Sequence, residues 1–100
     1  VECAQCNELL RRPVSRVAVC GGAGDFLLPE AVRAGADAFL TGEMHYHVFF
    51  GHEQEIQLCV IGHYQSEQYT NEIFKTIIRD TCPSLPLYLA ETNTNPIIYL

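Results

Sequence analysis

The chain has 100 residues, 48% of them hydrophobic and 18% charged, which is typical of one folded globular domain. Twelve acidic residues against six basic ones give a net charge of -6, which argues against binding to the phosphate backbone of nucleic acids. No apolar stretch approaches the roughly 20 residues that span a bilayer. We therefore expect neither a nucleic-acid nor a membrane partner, and the length excludes a two-domain enzyme.

Five cysteines occur without the spacing of a disulfide framework, which favours free thiols and a reducing, cytoplasmic location. Cys3 and Cys6 form a CxxC pair, but no second CxxC occurs to complete a zinc site. The pair also does not follow a strand, as a thioredoxin-like motif would. We therefore predict an ordinary helix over residues 2–12.

The predicted elements then alternate between strand and helix. Residues 16–20 (RVAVC) predict a buried strand that ends in the tight turn of the following glycines. Pro29 suits the first turn of a short helix, which Gly35 caps at its C-terminus. Residues 37–40 predict a second strand, and a helix is expected from Glu43 to about Gln54.

Residues 57–61 (QLCVI) predict a third strand, followed by Gly62 and His63. From Ser66 onward the apolar residues recur at the spacing of an amphipathic helix, and Pro83 ends the helical pattern after Thr81. Residues 85–90 (LPLYLA) predict a fourth strand, with Pro86 favouring an edge position. The whole order predicts a single α/β domain over residues 1–100, a three-layer α/β/α arrangement with about four mostly parallel strands.

In open α/β sheets, ligands bind beyond the carboxyl ends of the strands, and three of the predicted strand ends carry glycines. His63 follows the third strand directly, and Glu67 lies four residues later, where its side chain can fold back to the same point. Imidazole and carboxylate together suit Zn, Mn or Fe(II). Alternatively, Glu67 only favours the positive end of a helix while His63 bonds a loop.

Two further clusters lie at the other strand ends. Glu43 begins the helix expected after the second strand, and on that helix His47 would lie one turn away and face the same cleft, while His45 points elsewhere. A simple helix-capping role for this segment is the alternative. Gly22 and Gly24 lie in a loop that suits an anion or only a tight turn, because it lacks the lysine of a P-loop.

The order VAVCGGAG, AGADAFLTGE and VIGHYQSE resembles the C-terminal half of the type-two GTP cyclohydrolase homologues, also called Ngg-interacting-factor-three-like proteins. The resemblance implies that His63 and Glu67, in a GH-x-x-x-E motif, are ligands of a two-metal centre whose other ligands come from an absent N-terminal half. It places Glu43 and His47 near the cleft without making them ligands. The family usually has serine where this chain has Asp25 and Phe26, which weakens phosphate binding at the loop.

The resemblance also implies two divalent ions, which could be Zn, Mn, Fe or Ni, and a toroidal homohexamer. It makes the chain the C-terminal part of a longer protein, consistent with a sequence whose only methionine is Met44. Two functions are compatible with this resemblance. One is a metal-dependent hydrolase of a small molecule such as a nucleotide, inactive as this fragment alone; the other is an interaction scaffold whose metal is structural or vestigial.

Overall fold

A computed structural model describes residues 1–100 as two compact units, residues 1–67 and residues 68–100. The first contains four strands: β1 (Gln5–Cys6), β2 (Val17–Ala23), β3 (Ala38–Glu43) and β4 (Gln57–Val60). It also contains the helices α1 (Leu28–Arg33) and α2 (His63–Glu67) and two 3-10 helices, Asp25–Leu27 and Tyr46–Phe49. The second unit contains α3 (Thr70–Thr81). The expectation of a single domain stays a prediction.

The four strands form one mixed sheet in the order β1-β4-β3-β2. Strands β2, β3 and β4 are parallel, as predicted, and β1 pairs with β4 in the antiparallel sense. The predicted α/β class and the number of strands are confirmed. Because parallel neighbours end at the same edge, the residues that follow β2, β3 and β4 are brought together there.

One face of this sheet carries the core of the first unit. Phe39 on β3 and Leu58 on β4 are fully buried, and Leu28 and Ala31 of α1 pack against them. Pro29 lies in the first turn of α1, and Gly35, at φ +70°, follows its last turn, as predicted. Burying each large apolar side chain contributes about 1.5–3 kcal/mol, so this face anchors the site-bearing strands.

Two predicted elements are absent. The helix expected over residues 2–12 was wrong, because the segment runs along the edge of β4 and its Asn7 side chain bonds the backbone of Ile56 and Leu58 at 2.9 Å. The strand expected over residues 85–90 was also wrong, since those residues form no strand. Pro86 lacks the N–H that a strand ladder needs. The fourth strand of the sheet is instead β1.

Three predicted boundaries also shift. Strand β2 continues through the glycines to Ala23, with a register irregularity between Cys20 and Ala23, where a tight turn was expected. The helix expected from Glu43 to about Gln54 is reduced to the 3-10 turn Tyr46–Phe49, because β3 extends through Glu43 and His45 is extended. The amphipathic helix begins at Thr70 as α3, separate from α2.

Asp37 fastens the segment before β2 to the start of β3. Its carboxylate is bonded by the Arg12 guanidinium and accepts hydrogen bonds from the backbone N–H groups of Ser15 and Arg16 at 2.9 Å. The Arg12 bond, followed by those of Ser15 and Arg16, holds the pKa of Asp37 well below its usual range. These bonds need the ionised carboxylate, so they are strongest at neutral pH.

We expect Asp37→Asn to flatten the acid side of the stability profile. A carboxyl whose pKa falls on folding stabilises the protein above its unfolded pKa of about 4, and this stabilisation is lost as the pH drops further. Urea unfolding between about pH 7 and pH 3 should show a smaller decline for Asp37→Asn than for the wild type. Asp80→Asn, at an aspartate of α3, is the matched control for removing one carboxylate. An equal slope for Asp37→Asn would contradict the assignment.

No helix in the chain combines the length and the apolar character that crossing a membrane would require.

Candidate functional site

The ends of β2, β3 and β4 meet around α2. The backbone N–H of Ile61 donates to the Thr41 carbonyl, and that of Gly62 donates to the Gly42 carbonyl, both at 3.0 Å. The connection between β4 and α2 is therefore hydrogen-bonded to the end of β3. His63 is therefore the first residue to leave the sheet edge, and α2 carries Glu67 one turn further. The sheet positions both predicted ligands beside the ends of two other strands.

His63 lies between two carboxylates. Its Nε2 is 3.2 Å from Glu67 Oε2, and its Nδ1 is 3.2 Å from Glu43 Oε1. The side chain of His63 is 44% exposed, that of Glu67 is 51% exposed and that of Glu43 is 56% exposed, so the cluster is open to solvent. The i, i+4 spacing thus brings His63 and Glu67 together as predicted, and β3 adds Glu43 to the same point.

Gly22 forms the wall against which this cluster rests. A Cβ at this position would lie 2.7 Å from Glu67 Oε1 and 3.3 Å from His63 Nε2, and the residue has φ +65°. A side chain would therefore fill the space that the imidazole and carboxylate occupy. Gly22 thus lies beside His63 and Glu67, and its role in a cleft stays a prediction.

Ser66 and Thr41 hold Gly22 in place; the sequence suggested Thr41 only as a helix cap or a residue near the cleft, and it did not point to Ser66. The Gly22 N–H donates to Ser66 Oγ at 2.9 Å, and Ser66 Oγ in turn donates to the His63 carbonyl at 2.8 Å. Thr41, which is 1% exposed, donates to the Gly22 carbonyl and accepts from the Gly24 N–H. The available signals were the position of Ser66 one turn after His63 and that of Thr41 inside an apolar strand.

Gly24 and His47, the other two residues predicted near the cleft, make other contacts than those of His63 and Glu67. Gly24 packs on the inner side of the loop, where an added Cβ would lie 2.5 Å from Thr41 Oγ1 and 2.9 Å from Cys20 Sγ. His47 is exposed on the 3-10 turn, and its ring makes a T-shaped contact with Tyr46 at 5.5 Å between centroids. Gly24 thus supports the loop, and His47 stands apart from the contacts of His63.

Asp25 and His45 form a second carboxylate–imidazole pair beside the loop. Asp25 Oδ2 accepts a hydrogen bond from the His45 N–H at 3.1 Å and lies 2.5 Å from His45 Nδ1. Hydrogen bonding to His45 lowers the pKa of Asp25, and the Asp25 bond raises the pKa of His45. The pair thus ties His45 to Asp25 at the end of the loop.

No group of three or more His, Cys, Asp or Glu side chains in residues 1–100 is arranged to hold a metal ion. Two potential ligand atoms therefore converge here, Nε2 of His63 and a carboxylate oxygen of Glu67, while Glu43 approaches the opposite ring nitrogen. A divalent ion at these atoms would need further ligands from outside this cluster.

The chain is similar to bacterial and archaeal proteins over most of its length. A protein of Streptococcus pneumoniae described as "GTP cyclohydrolase 1 type 2 homolog" is 30% identical over 95 residues, which cover 91% of this chain and 36% of that protein. A protein of Archaeoglobus fulgidus with the same description is 34% identical over 68 residues, covering 67% of this chain and 28% of that protein. The chain thus spans about a third of the length of these relatives.

Solved structures and a family profile agree. A crystal structure of a Staphylococcus aureus protein matches with a TM-score of 0.86 at 26% identity, covering all of this chain and 35% of the other. A Bacillus cereus protein described as related to NIF3 matches with a TM-score of 0.71 at 25% identity, covering 29% of that protein. Residues 1–96 match the profile of the Duf34/NIF3 (NGG1p interacting factor 3) family. The chain therefore belongs to the Duf34/NIF3 family.

Proposed function

We propose that this chain contributes one part of a divalent-metal centre, with His63 Nε2 and a carboxylate oxygen of Glu67 as ligands. The observation that carries the proposal is the convergence of these two groups, 3.2 Å apart, against a glycine whose missing side chain leaves room for them. Imidazole and carboxylate are ligands that Zn, Mn, Fe and Ni accept. The donor set therefore fits such an ion.

Glu43 is the positioning group of this proposal. A neutral imidazole carries one N–H, so if Nε2 binds an ion the proton must be on Nδ1, which lies 3.2 Å from Glu43 Oε1. A carboxylate that accepts this N–H fixes the tautomer and the ring orientation of a metal-binding histidine. Glu43 would thus hold His63 ready for the ion without binding the ion itself.

We expect Glu43→Gln in the intact protein to weaken metal binding by about 10–100-fold, the usual cost of losing such an outer partner. Competition with a chromophoric chelator measures the affinity. Glu55→Gln is the matched control, because Glu55 also contacts a histidine, with its Oε1 2.9 Å from His52 Nδ1, yet belongs to a different cluster. An unchanged affinity in Glu43→Gln, or an equal loss in the control, would remove the positioning role.

The remaining ligands of the proposed two-ion centre would come from parts of the protein outside residues 1–100, because this chain spans only 36% and 28% of the Streptococcus pneumoniae and Archaeoglobus fulgidus relatives. A bound divalent ion supplies polarisation of the bond under attack and activation of a water molecule. We therefore propose a metal-dependent hydrolase. The relatives' description suggests a small nucleotide such as GTP as the substrate class.

Turnover of GTP by the metal-loaded intact protein tests the hydrolase proposal. Wild type and Glu67→Ala are compared at equal concentration, after metal removal and after resupply. Product formed only by metal-loaded wild type would support a hydrolase, and turnover that persists without metal would exclude the metal-dependent reaction. Absence of turnover together with bound metal would favour the scaffold alternative.

Exposed aromatic side chains favour an assembly role beside the enzymatic one. Phe26, Tyr46 and Phe50 are 71%, 72% and 58% exposed, and the rings of Tyr46 and Phe50 contact each other edge to face at 5.2 Å. Such apolar surface is typical of association sites. We propose that the protein forms a homo-oligomer, which the family resemblance suggests is a hexamer. We also propose a cytoplasmic location, because its five cysteines are free thiols. Sedimentation of the intact protein measures the oligomer size.

A further inference from the structure

Two cysteines face each other across the antiparallel edge of the sheet. Cys6 on β1 is the register partner of Cys59 on β4, next to the pair Gln5 and Val60. Both thiols are free. The proposed metal centre uses neither of them, and Cys6 belongs to the CxxC motif of the sequence.

The hydrogen bonds of β4 identify what kind of pair this is. The N–H of Gln57 donates to the carbonyl of Asp37, the residue before β3, and the N–H of Ile61 donates to the carbonyl of Thr41 in β3. Every second residue of a strand directs its N–H and C=O groups to the same side, so Cys59, like Gln57 and Ile61, directs both groups toward β3. Cys59 therefore makes no backbone hydrogen bond to β1. The N–H of Leu58, by contrast, faces the opposite edge, where Asn7 Oδ1 accepts it at 2.9 Å. Cys6 and Cys59 are therefore a non-hydrogen-bonded pair.

Residues of a non-hydrogen-bonded pair have the closest side chains of an antiparallel ladder. Their Cα atoms are typically about 4.5 Å apart. Disulfides span Cα separations of about 4.4–6.8 Å, so this register allows an S–S bond without separating the strands. Cys3, the other residue of the CxxC motif, lies outside β1 and has no register partner.

The two thiols differ in their surroundings. Cys6 is exposed, whereas Cys59 is partly buried. Burial, followed by the nearby Cys6, raises the pKa of the Cys59 thiol. The thiolate is the attacking species in disulfide exchange, so Cys6 is the accessible first nucleophile and Cys59 the resolving thiol.

We propose that Cys6 and Cys59 are a reversible modification site, at which a small-molecule disulfide such as oxidised glutathione converts the two thiols into a cross-strand disulfide. The Cys6 thiolate attacks one sulfur of the oxidant, forming a mixed disulfide and releasing one thiolate. Cys59, after losing its proton to solvent, attacks the Cys6 sulfur and releases the second glutathione thiolate. Two protein thiols are oxidised, and one small disulfide is reduced to two thiols.

The bond would fasten the shortest strand of the sheet. Strand β1 has two residues, and the structure otherwise ties it to β4 through its ladder and the side chain of Asn7. After β4, Ile61 and Gly62 lead to His63, the first residue of α2. Oxidation would therefore join β1 covalently to β4, the strand that precedes α2.

Tryptic mapping of the intact protein after incubation with oxidised glutathione tests the proposal. Cleavage after Arg11, Arg33 and Lys75 places Cys3 and Cys6 in one peptide, and Cys59 in the peptide of residues 34–75. We expect a link between these two peptides, a mass lower by two hydrogen atoms and a loss of two titratable thiols. Dithiothreitol should reverse all three changes.

Three variants separate this bond from its alternatives. Cys3→Ser should keep the link, whereas Cys6→Ser and Cys59→Ser should abolish it. Oxidation should also raise the Tm of wild type and of Cys3→Ser, but not of Cys59→Ser. Any of three results would overturn the proposal: a bond within the CxxC peptide, a link that persists in Cys59→Ser, or no link in the oxidised wild type. The third result does not depend on the folding of any variant.

Discussion

Replacing Glu67 by Gln is expected to remove most of the metal affinity of the intact protein. The substitution keeps the size and helical position of the side chain but replaces a charged carboxylate with a neutral amide. Loss of an outer partner alone weakens a metal site by about 10–100-fold, and loss of a ligand should exceed this range. Zinc or manganese titration against a chromophoric chelator measures the change, and circular dichroism checks that the fold is retained.

Glu30→Gln is the matched control for this experiment. Glu30 is also a helical glutamate, 58% exposed in its side chain, and its ion pair is with Arg33 of α1. Such exposed pairs contribute little, so the control should bind metal as the wild type does. Equal affinities in Glu67→Gln and wild type would show that Glu67 is not a ligand, and the i, i+4 contact with His63 would then be only a surface ion pair.

Gly22→Ala is expected to disrupt the same cluster from the backbone side. The new Cβ would lie 2.7 Å from Glu67 Oε1 and 3.3 Å from His63 Nε2, so at least one of these side chains must move. The residue also has φ +65°, a conformation that costs an L-residue about 1–2 kcal/mol. We expect a lower free energy of unfolding together with a metal affinity reduced by at least about tenfold, on the scale of a disturbed outer partner.

Gly51→Ala separates the two effects of that substitution. Gly51 has φ +80°, but an added Cβ would meet nothing within 4 Å. The control should therefore show a similar loss of about 1–2 kcal/mol in urea unfolding and an unchanged metal affinity. If Gly22→Ala binds metal as Gly51→Ala does, the space at Gly22 serves the fold of the loop alone.

The local part of the site could be predicted from the sequence. His63 and Glu67 are four residues apart and directly follow a buried strand, so their approach depends only on one helical turn. The placement of Glu43 followed from the rule that neighbouring parallel strands end at one edge. That it contacts the imidazole from the Nδ1 side depends on the register of β3 and β4, which composition and periodicity do not encode.

The errors of prediction have tertiary causes. Residues 2–12 were expected to be helical, yet Asn7 bonds the backbone of β4, whose edge no local pattern reveals. The fourth strand was expected at residues 85–90 because LPLYLA is apolar, although Pro86 lacks a ladder donor. The helix expected after Glu43 does not form there because the His45 N–H donates a hydrogen bond to the Asp25 carboxylate, 20 positions away in the sequence.

Elemental analysis of the intact protein, purified without chelator or affinity metal, tests the central claim most directly. Wild type, His63→Ala and Glu67→Ala are analysed together before and after resupply of Zn, Mn, Fe and Ni. The proposal predicts two divalent ions per chain in the wild type and a marked loss in both variants. A wild type that stays metal-free after resupply, or variants that keep the full metal content, would contradict it.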